Sequence, residues 1–202
     1  MNKTKIAILL SGRGLNFVAI ARKVMDGTIK GDIALVASNK ADARGLKKAK
    51  PLGFETLFIP HIGKTREAFD EEIVGELRRR SVGLVCLAGF MRILSPVFIR
   101  AFPMRIMNIH PALLPAFRGT NAWRQALDAG VKVSGATVHF VTEDLDAGPI
   151  ILQKSVPVRD GDTVETLSAR ILRVERQIYP EAVRLFCGGK LEVRERRVYV
   201  RK

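Results

Sequence analysis

The chain has 202 residues, of which 47% are hydrophobic and 27% are charged, a composition typical of a globular domain, and no apolar run reaches the roughly 18–20 residues of a membrane span. The first apolar run is too short for a signal peptide, so we expect a cytoplasmic protein that does not bind a membrane. The formal net charge of +14 is spread along the chain and aromatic residues make up only 6%. This pattern argues against nucleic acid as the main partner, because nucleic-acid binders carry a basic stripe and stacking platforms.

Short apolar segments alternate along the chain with amphipathic segments of helical periodicity. Seven segments are predicted strands: 5–10, 33–38, 56–59, 84–87, 105–109, 136–141 and 150–156. Five are predicted helices: 17–26, 43–51, 66–80, 121–129 and 163–186. Most strand segments are continuously apolar, as in a parallel sheet covered on both faces. We therefore predict an α/β fold with a doubly wound, mostly parallel seven-stranded sheet and helices on both faces, and an edge hairpin from residues 190–200.

We expect a single domain over residues 1–202, with a soft boundary near residues 96–103, where the alternation becomes less regular. Thr163 is a plausible N-cap for the last helix. Cys86 lies within an apolar run and is predicted to be a buried thiol. No cluster of His, Cys, Asp and Glu has the spacing of a metal site, so no metal is expected.

A glycine-containing loop follows the first predicted strand and precedes a helix. Gly12 and Gly14 allow the backbone to approach an anion, and free N–H groups at a helix start favour negative charge. The third glycine position of a dinucleotide fingerprint is occupied by Phe17, and no acidic residue ends the second strand. The loop therefore predicts a mononucleotide-type phosphate site rather than an NAD site. A tight turn without a ligand is an equally good interpretation.

The loop 89–94 follows the very apolar strand segment 84–88. Because loops at the carboxyl ends of central strands line the ligand crevice of an open sheet, Met91 and Ile93 would form a surface for a flat heterocycle. A loop packed under a helix is the alternative.

Asn108, His110 and Asp146 provide an amide donor, an imidazole and a carboxylate at the ends of two predicted strands. Acyl transfer needs a donor for the developing oxyanion, a proton carrier and a group that orients the carrier. Asn108 and His110 are two positions apart and hence on the same side of a strand. We expect Asp146 to raise the pKa of His110. Since no G-x-S-x-G elbow is present, direct transfer between two bound substrates is favoured, whereas His139 is expected to be structural or supporting.

These residues resemble the formyltransferase family that uses 10-formyltetrahydrofolate. The resemblance extends from Ile6 to about Phe186. It is carried by five motifs: Ser11-Gly12-x-Gly14-x-Asn16, Ser38-Asn39-Lys40-Ala41, 88–94, 108–115, and His139-Phe140-Val141 leading to Asp146-Ala147-Gly148-Pro149.

The resemblance implies transfer of a formyl group from 10-formyltetrahydrofolate, as co-substrate, to the amino group of glycinamide ribonucleotide in purine biosynthesis. It implies that Asn108, His110 and Asp146 are catalytic. It places the ribonucleotide on residues of both halves of the chain: Gly14, Leu15, Asn16 and Glu175. It places the folate on three segments: Arg66; Met91, Arg92, Ile93 and Leu94; and Thr142, Glu143, Asp144 and Leu145. Residues 1–100 would then form a phosphate-binding half, and residues 101–202 a catalytic and folate-binding half.

The chain departs from the family pattern at two places. Leu15 stands where a serine is usual, which removes one hydroxyl contact to the phosphate, and residues 118–123 replace a Gly-Leu-His-Ala-His pattern near the substrate. Relatives with the same three residues include a formyltetrahydrofolate deformylase with an additional N-terminal domain and a methionyl-tRNA formyltransferase with an additional C-terminal domain; the length of the chain opposes both. A non-catalytic folate- or nucleotide-binding regulator is the remaining alternative, and a homodimer is possible.

Overall fold

The computed structural model describes residues 3–201, which form nine β-strands and six α-helices. In chain order they are β1 Thr4–Leu10, α1 Leu15–Met25, β2 Gly31–Ser38, α2 Arg44–Ala49, β3 Thr56–Phe58, α3 Arg66–Arg79, β4 Leu84–Leu87, α4 Pro96–Ala101, β5 Ile106–His110, α5 Ala122–Asp128, β6 Val133–Phe140, β7 Ile150–Pro157, α6 Val164–Cys187, β8 Leu191–Arg194 and β9 Arg197–Val200. None of these helices is both long enough and apolar enough to cross a membrane.

All the strands belong to one sheet with the order β3-β2-β1-β4-β5-β6-β7-β9-β8. The strands from β3 to β5 are parallel, whereas β6 is antiparallel to both β5 and β7. The predicted α/β fold is therefore confirmed, but the sheet has nine strands rather than seven. The difference arises because the C-terminal hairpin β8–β9 joins the sheet through one parallel residue pair, Ile150 with Arg197. A single pair leaves no periodicity in the sequence that could reveal it.

The strand β1 explains why the apolar runs are continuous. Its residues from Ile6 to Leu10 are completely buried, yet their side chains alternate between two cores. Ile6, Ile8 and Leu10 pack with residues of α1 and α6 on one face, and Ala7 and Leu9 pack with residues of α3 and α4 on the other. Because both faces of the central strands are covered by helices, both alternating positions must be apolar.

The helix α4 is the one helix of residues 3–201 that the sequence analysis did not predict. It has six residues, starts with Pro96 after the N-cap Ser95, and fully buries only Phe98. Such a short segment carries too few apolar positions for a 3.6-residue period to be recognised. By contrast, the predicted N-cap Thr163 is confirmed, since its hydroxyl accepts a hydrogen bond from the Thr166 N–H at the start of α6.

Candidate active site

The parallel strands β1, β4 and β5 have their carboxyl ends at the same edge of the sheet, and predicted site residues lie at this edge or in the loops that leave it. The glycine loop leaves β1, the loop 89–94 leaves β4, and His110 is the last residue of β5. The order in which the chain adds strands to the sheet switches sides at β1, since β2 and β3 lie on one side of it and β4 and β5 on the other. Open α/β sheets bind ligands in the crevice at such a position.

His110 and Asp146 lie together, as the sequence analysis predicted. The Nδ1 atom of His110 is 3.4 Å from the Oδ2 atom of Asp146, and both side chains are largely buried. The Nε2–H group of His110 donates a hydrogen bond of 2.8 Å to the carbonyl oxygen of Phe117. The same carboxylate oxygen of Asp146 accepts the backbone N–H of Gly119 at 2.9 Å. The loop after β5 therefore holds both members of the pair.

Asn108 is joined to the pair through His139 of β6, which lies directly opposite it in the sheet. The Nδ1–H group of His139 donates to the carbonyl oxygen of Phe140, so its Nε2 atom is free to accept the Asn108 amide at 3.3 Å. The same Nε2 atom lies 3.6 Å from Asp146 Oδ1. His139 was expected to be a structural or supporting residue, and it contacts two members of the predicted trio. One N–H of the Asn108 amide remains for another acceptor.

The loop that follows His110 is anchored by two polar side chains of the antiparallel strands. The Thr137 hydroxyl donates to the carbonyl of Ala112 at 2.7 Å and accepts the N–H of Leu114 at 3.1 Å. The Gln153 amide donates to the carbonyl of Leu114 at 2.8 Å. Neither residue was predicted to belong to the site, because the periodicity of a strand does not indicate which polar residue faces a loop.

Burial decides the protonation of His110. Burial lowers the pKa of His110 and outweighs Asp146, which raises it, so the pKa lies below its ordinary value. The expected influence of Asp146 is therefore present, but the cost of desolvating an imidazolium in the protein interior is larger than the stabilisation that this carboxylate provides. For Asp146, burial alone would raise the pKa, yet the neighbouring ring of His139, the hydrogen bond from the Gly119 N–H and the neighbouring ring of His110 together lower it. At neutral pH the site therefore combines a neutral imidazole with a carboxylate.

The glycine loop forms a tight turn into α1. Gly14 is the N-cap of α1 in the left-handed conformation, with φ of 66°. A Cβ atom on Gly14 would lie 2.6 Å from the backbone of Gly45, which itself donates to the carbonyl of Gly12. Glycine is therefore required here by packing as well as by conformation. The N–H groups of Leu15 and Asn16, in the first turn of α1, have no partner within the helix and are available to an anion.

Asn16 and Glu175 meet although 159 positions separate them. Asn16 Nδ2 donates to Glu175 Oε2 at 2.8 Å, and Asn16 Oδ1 is buried without a hydrogen-bond partner. Glu175 is buried on α6, and this burial raises its pKa. The structure thus brings together the two predicted ribonucleotide residues that are furthest apart in the sequence.

The predicted folate segment after β4 is partly exposed. Met91 is 71% exposed and Ile93 is 59% exposed, whereas Leu94 is buried in the core and can offer a ligand only its backbone. The guanidinium of Arg92 lies over the ring of Phe69, 4.5 Å from its centroid. Arg66 begins α3 and, like Arg92, lowers the pKa of the buried Asp70, whose burial raises it. The charges of Arg66 and Arg92 therefore both act on one buried carboxylate, that of Asp70.

The last predicted folate segment is the loop between β6 and β7. Glu143, Asp144 and Leu145 are exposed, and Glu143 pairs with Arg100 at 3.0 Å, whereas Thr142 is half-buried. The loop ends at Gly148, where a Cβ atom would overlap the carbonyl oxygen of Phe140. This close approach sets the path of the loop and hence the position of Asp146. Within residues 3–201 no group of three or more His, Cys, Asp and Glu is arranged to hold a metal ion.

Comparisons with known proteins agree with this arrangement. The model of the formyl transferase family matches residues 4–183. The chain is 44% identical over 191 residues to phosphoribosylglycinamide formyltransferase of Escherichia coli, covering 94% of this chain and 90% of that protein. It is 49% identical over 194 residues to the trifunctional purine biosynthetic protein adenosine-3 of Bos taurus; this match covers 96% of the chain but only 19% of the length of that relative.

Among solved structures, the fold superimposes on glycinamide ribonucleotide transformylase 1 of Symbiobacterium toebii with a TM-score of 0.97. The two chains are 50% identical, and the match covers 99% of this chain and 95% of the other. This similarity extends over both halves of the sheet and so includes every loop of the candidate site.

Proposed function

Because the chain belongs to the formyl transferase family, we propose that it is a phosphoribosylglycinamide formyltransferase, which transfers the formyl group of 10-formyltetrahydrofolate to the amino group of glycinamide ribonucleotide in purine biosynthesis. The observation that carries this proposal is the convergence of Asn108, His110 and Asp146 at the edge of the sheet where the glycine loop and the segment 89–94 also leave their strands. A crevice with one loop for each substrate supplies the orientation that direct transfer needs.

Three sets of residues would hold the two substrates. The backbone of Gly14, Leu15 and Asn16 would bind the phosphate at the start of α1, and Glu175 would accept hydrogen bonds from the ribose hydroxyls. The folate would contact Arg66, the segment 91–94 and the loop 142–145. In this proposal residues 1–100 form a phosphate-binding half, and residues 101–202 form a catalytic and folate-binding half.

The reaction would proceed by direct attack of the amine of the ribonucleotide on the formyl carbon. As the new C–N bond forms, the carbonyl oxygen gains negative charge, and the free N–H of the Asn108 amide would donate to it. Collapse of this intermediate breaks the bond between the formyl carbon and the folate nitrogen. Over the whole reaction the amine loses one proton and the folate nitrogen gains one.

His110 would carry this proton. Its lowered pKa keeps the imidazole neutral at neutral pH, so it would accept the proton from the attacking amine and pass it to the leaving nitrogen. The charge of Asp146, 3.4 Å from Nδ1, would stabilise the imidazolium only once it forms. Such an interaction is stronger in the transition state than in the ground state, which is the condition for acceleration.

The Phe117 carbonyl restricts this step. It accepts the Nε2–H of His110, so Nε2 can take a proton from the substrate only if the carbonyl gives way and the ring hydrogen moves to Nδ1, where Asp146 Oδ2 lies 3.4 Å away. Phe117 has a φ of 55°, in the left-handed region that L-residues rarely adopt. In our proposal, bound substrates therefore displace the backbone around Phe117.

Turnover with both substrates tests the proposed function. We expect formyl transfer that depends on the ribonucleotide and yields one formylated product for each 10-formyltetrahydrofolate consumed. Release of formate at the same rate without the ribonucleotide would indicate a hydrolase. Binding of both ligands without any turnover would indicate a regulator, and transfer to methionyl-tRNA would indicate that relative of the family.

A further inference from the structure

Ser11 connects the loops that the two substrates would occupy. It follows β1 immediately and is 5% exposed. Its backbone N–H donates to the carbonyl of Gly89 at 3.0 Å, and its hydroxyl oxygen accepts the N–H of Met91 at 2.9 Å. The same hydroxyl donates to Asn39 Oδ1 at 2.6 Å. One buried serine thus forms hydrogen bonds with the loops that follow β2 and β4, the two neighbours of β1 in the sheet.

Further contacts connect Asn39 with the predicted folate segment 91–94. The carbonyl of Asn39 accepts His61 Nδ1–H at 2.8 Å. The ring of His61 meets the ring of Phe69 edge-on, with centroids 6.2 Å apart, and Arg92 lies over the same phenyl ring. These contacts run from the Ser11 hydroxyl through three elements and return to the residue after Met91.

The other neighbour of Ser11 is the glycine loop itself. Gly12 follows directly, and its carbonyl accepts the N–H of Gly45 at 2.9 Å. Gly14 packs against the backbone of Gly45 so closely that a Cβ atom does not fit. Because the glycine loop is held closely against Gly45, we expect a shift of Ser11 to be transmitted to this loop.

We propose that Ser11 is a positioning residue that couples the two substrate sites, so that a ligand on the glycine loop strengthens binding at the segment 91–94. This inference rests on the function proposed above. The physical reason is shared ordering: the hydroxyl orients both segments, so a ligand that orders one of them reduces the entropy that the second ligand must lose. Coupling of this kind is reciprocal.

Equilibrium binding of two probes tests the proposal without interference from the reaction. Ribose 5-phosphate fills the phosphate site but carries no amine, and tetrahydrofolate lacks the formyl group, so direct contact between the ligands is reduced and no turnover occurs. The quantity measured is the ratio of the Kd of each probe alone to its Kd with the other probe saturating. For the wild type we expect a coupling factor of about 5 or more.

The variant Ser11→Ala removes both hydrogen bonds of the hydroxyl group. The Met91 N–H then lacks its acceptor, and Asn39 Oδ1 lacks its donor. We expect its coupling factor to fall close to one. A purely structural role would weaken both binary affinities and leave the factor unchanged. The matched control is Ser38→Ala: Ser38 is equally buried at the end of β2, but its hydroxyl accepts only the N–H of Lys40 in its own loop, so the coupling should persist.

A wild-type factor of one with both probes bound, or wild-type coupling retained in Ser11→Ala, would overturn the inference and leave the proposed function intact. A wild-type protein that binds neither probe would overturn both. If Ser11→Ala does not fold, the second variant is Asn39→Ala. It removes the oxygen that accepts the Ser11 hydroxyl and keeps the hydrogen bond between Ser11 and the Met91 N–H. The factor for Asn39→Ala should lie between one and the wild-type value, and an unchanged factor overturns the inference.

Discussion

The amide of Asn16 donates a 2.8 Å hydrogen bond to the carboxylate of Glu175, and both side chains are buried. This contact joins the first turn of α1 to the middle of α6, two of the helices that cover one face of the sheet. It also leaves Asn16 Oδ1 without a partner. A buried carboxylate and an unpaired amide oxygen are costly in a protein that has no use for them, so we infer that both oxygens accept hydrogen bonds from hydroxyl groups of the ribonucleotide.

Glu175→Gln separates binding from stability. Loss of a hydrogen bond to a charged group should raise the KM for the ribonucleotide by about 10- to 100-fold, while the KM for the folate changes little. Because burial raises the pKa of Glu175, its ionised form opposes folding at neutral pH, so the variant should unfold at a temperature a few degrees higher. This gain should disappear as the pH falls through the raised pKa. The control Glu165→Gln, exposed on the same helix, should change neither KM; equal effects on both substrates would refute the assignment.

Asp146→Asn keeps the shape of the side chain and removes its charge. Since the charge stabilises the imidazolium that forms during proton transfer, kcat should fall by about two to four orders of magnitude. Both KM values should change far less, because the interaction is strongest in the transition state. Stopped assays of initial rate measure this, with Asp128→Asn on the exposed end of α5 as the control.

His110→Ala should be about as damaging as Asp146→Asn, and the double variant little worse than either, since the two residues act as one unit. Additive losses in kcat would mean that Asp146 acts independently, for example by shaping the loop 142–145. A nearly normal kcat in Asp146→Asn would remove this residue from the catalytic group.

The pKa of His110 can be measured directly, because the chain has only three histidines. In an NMR titration its resonance, assigned with His110→Gln, should show a midpoint below the ordinary value of about 6.5. Asp146→Asn should move the midpoint lower still, since Asp146 raises this pKa. Because burial lowers the folded-state pKa below the unfolded one, the contribution of His110 to stability is present above pH 6.5 and is lost as the pH falls through the folded-state pKa. A midpoint above 6.5 would contradict the neutral imidazole as the resting form.

Gly148→Ala tests whether the close approach to Phe140 positions the loop that carries Asp146. The added methyl group must displace backbone, so we expect a loss of about 1–3 kcal/mol in the free energy of unfolding, together with a fall in kcat. Gly161→Ala is the matched control, because a Cβ atom there meets nothing within 4 Å. Equal thermal unfolding temperatures and rates for the two variants would show that the contact is unimportant.

The net charge of +14 predicts only weak binding to tRNA or duplex DNA. A diffuse basic surface releases few counterions at any one site, so binding should disappear near physiological salt. Gel shifts or fluorescence anisotropy over a salt series measure this. A sub-micromolar tRNA complex that persists at physiological salt would favour a tRNA substrate.

Local information in the sequence was sufficient for much of the fold and for the membership of the candidate trio. The period of apolar residues identified the seven strands of the main sheet and five helices, because burial on one or both faces leaves a regular pattern. Asn108 and His110 follow from the same reasoning, since neighbours two apart in a strand share a side. The edge hairpin predicted for residues 190–200 was confirmed, but helix α4 was missed, because six residues leave no such pattern.

What the tertiary structure decided is how these residues act on one another. The sequence predicts that Asp146 acts on His110, but the net pKa of His110 depends on desolvation, which no local pattern contains, and burial outweighs the effect of Asp146. Likewise, Ser11 and Asn39 belong to recognisable motifs, yet their hydrogen bonds arise because β2, β1 and β4 are neighbours in the sheet. The sequence alone determined which chemical groups are present and which element carries each, since periodicity and turn chemistry are local. The distances, the burial and the connections between loops are set only when segments distant in the chain pack together.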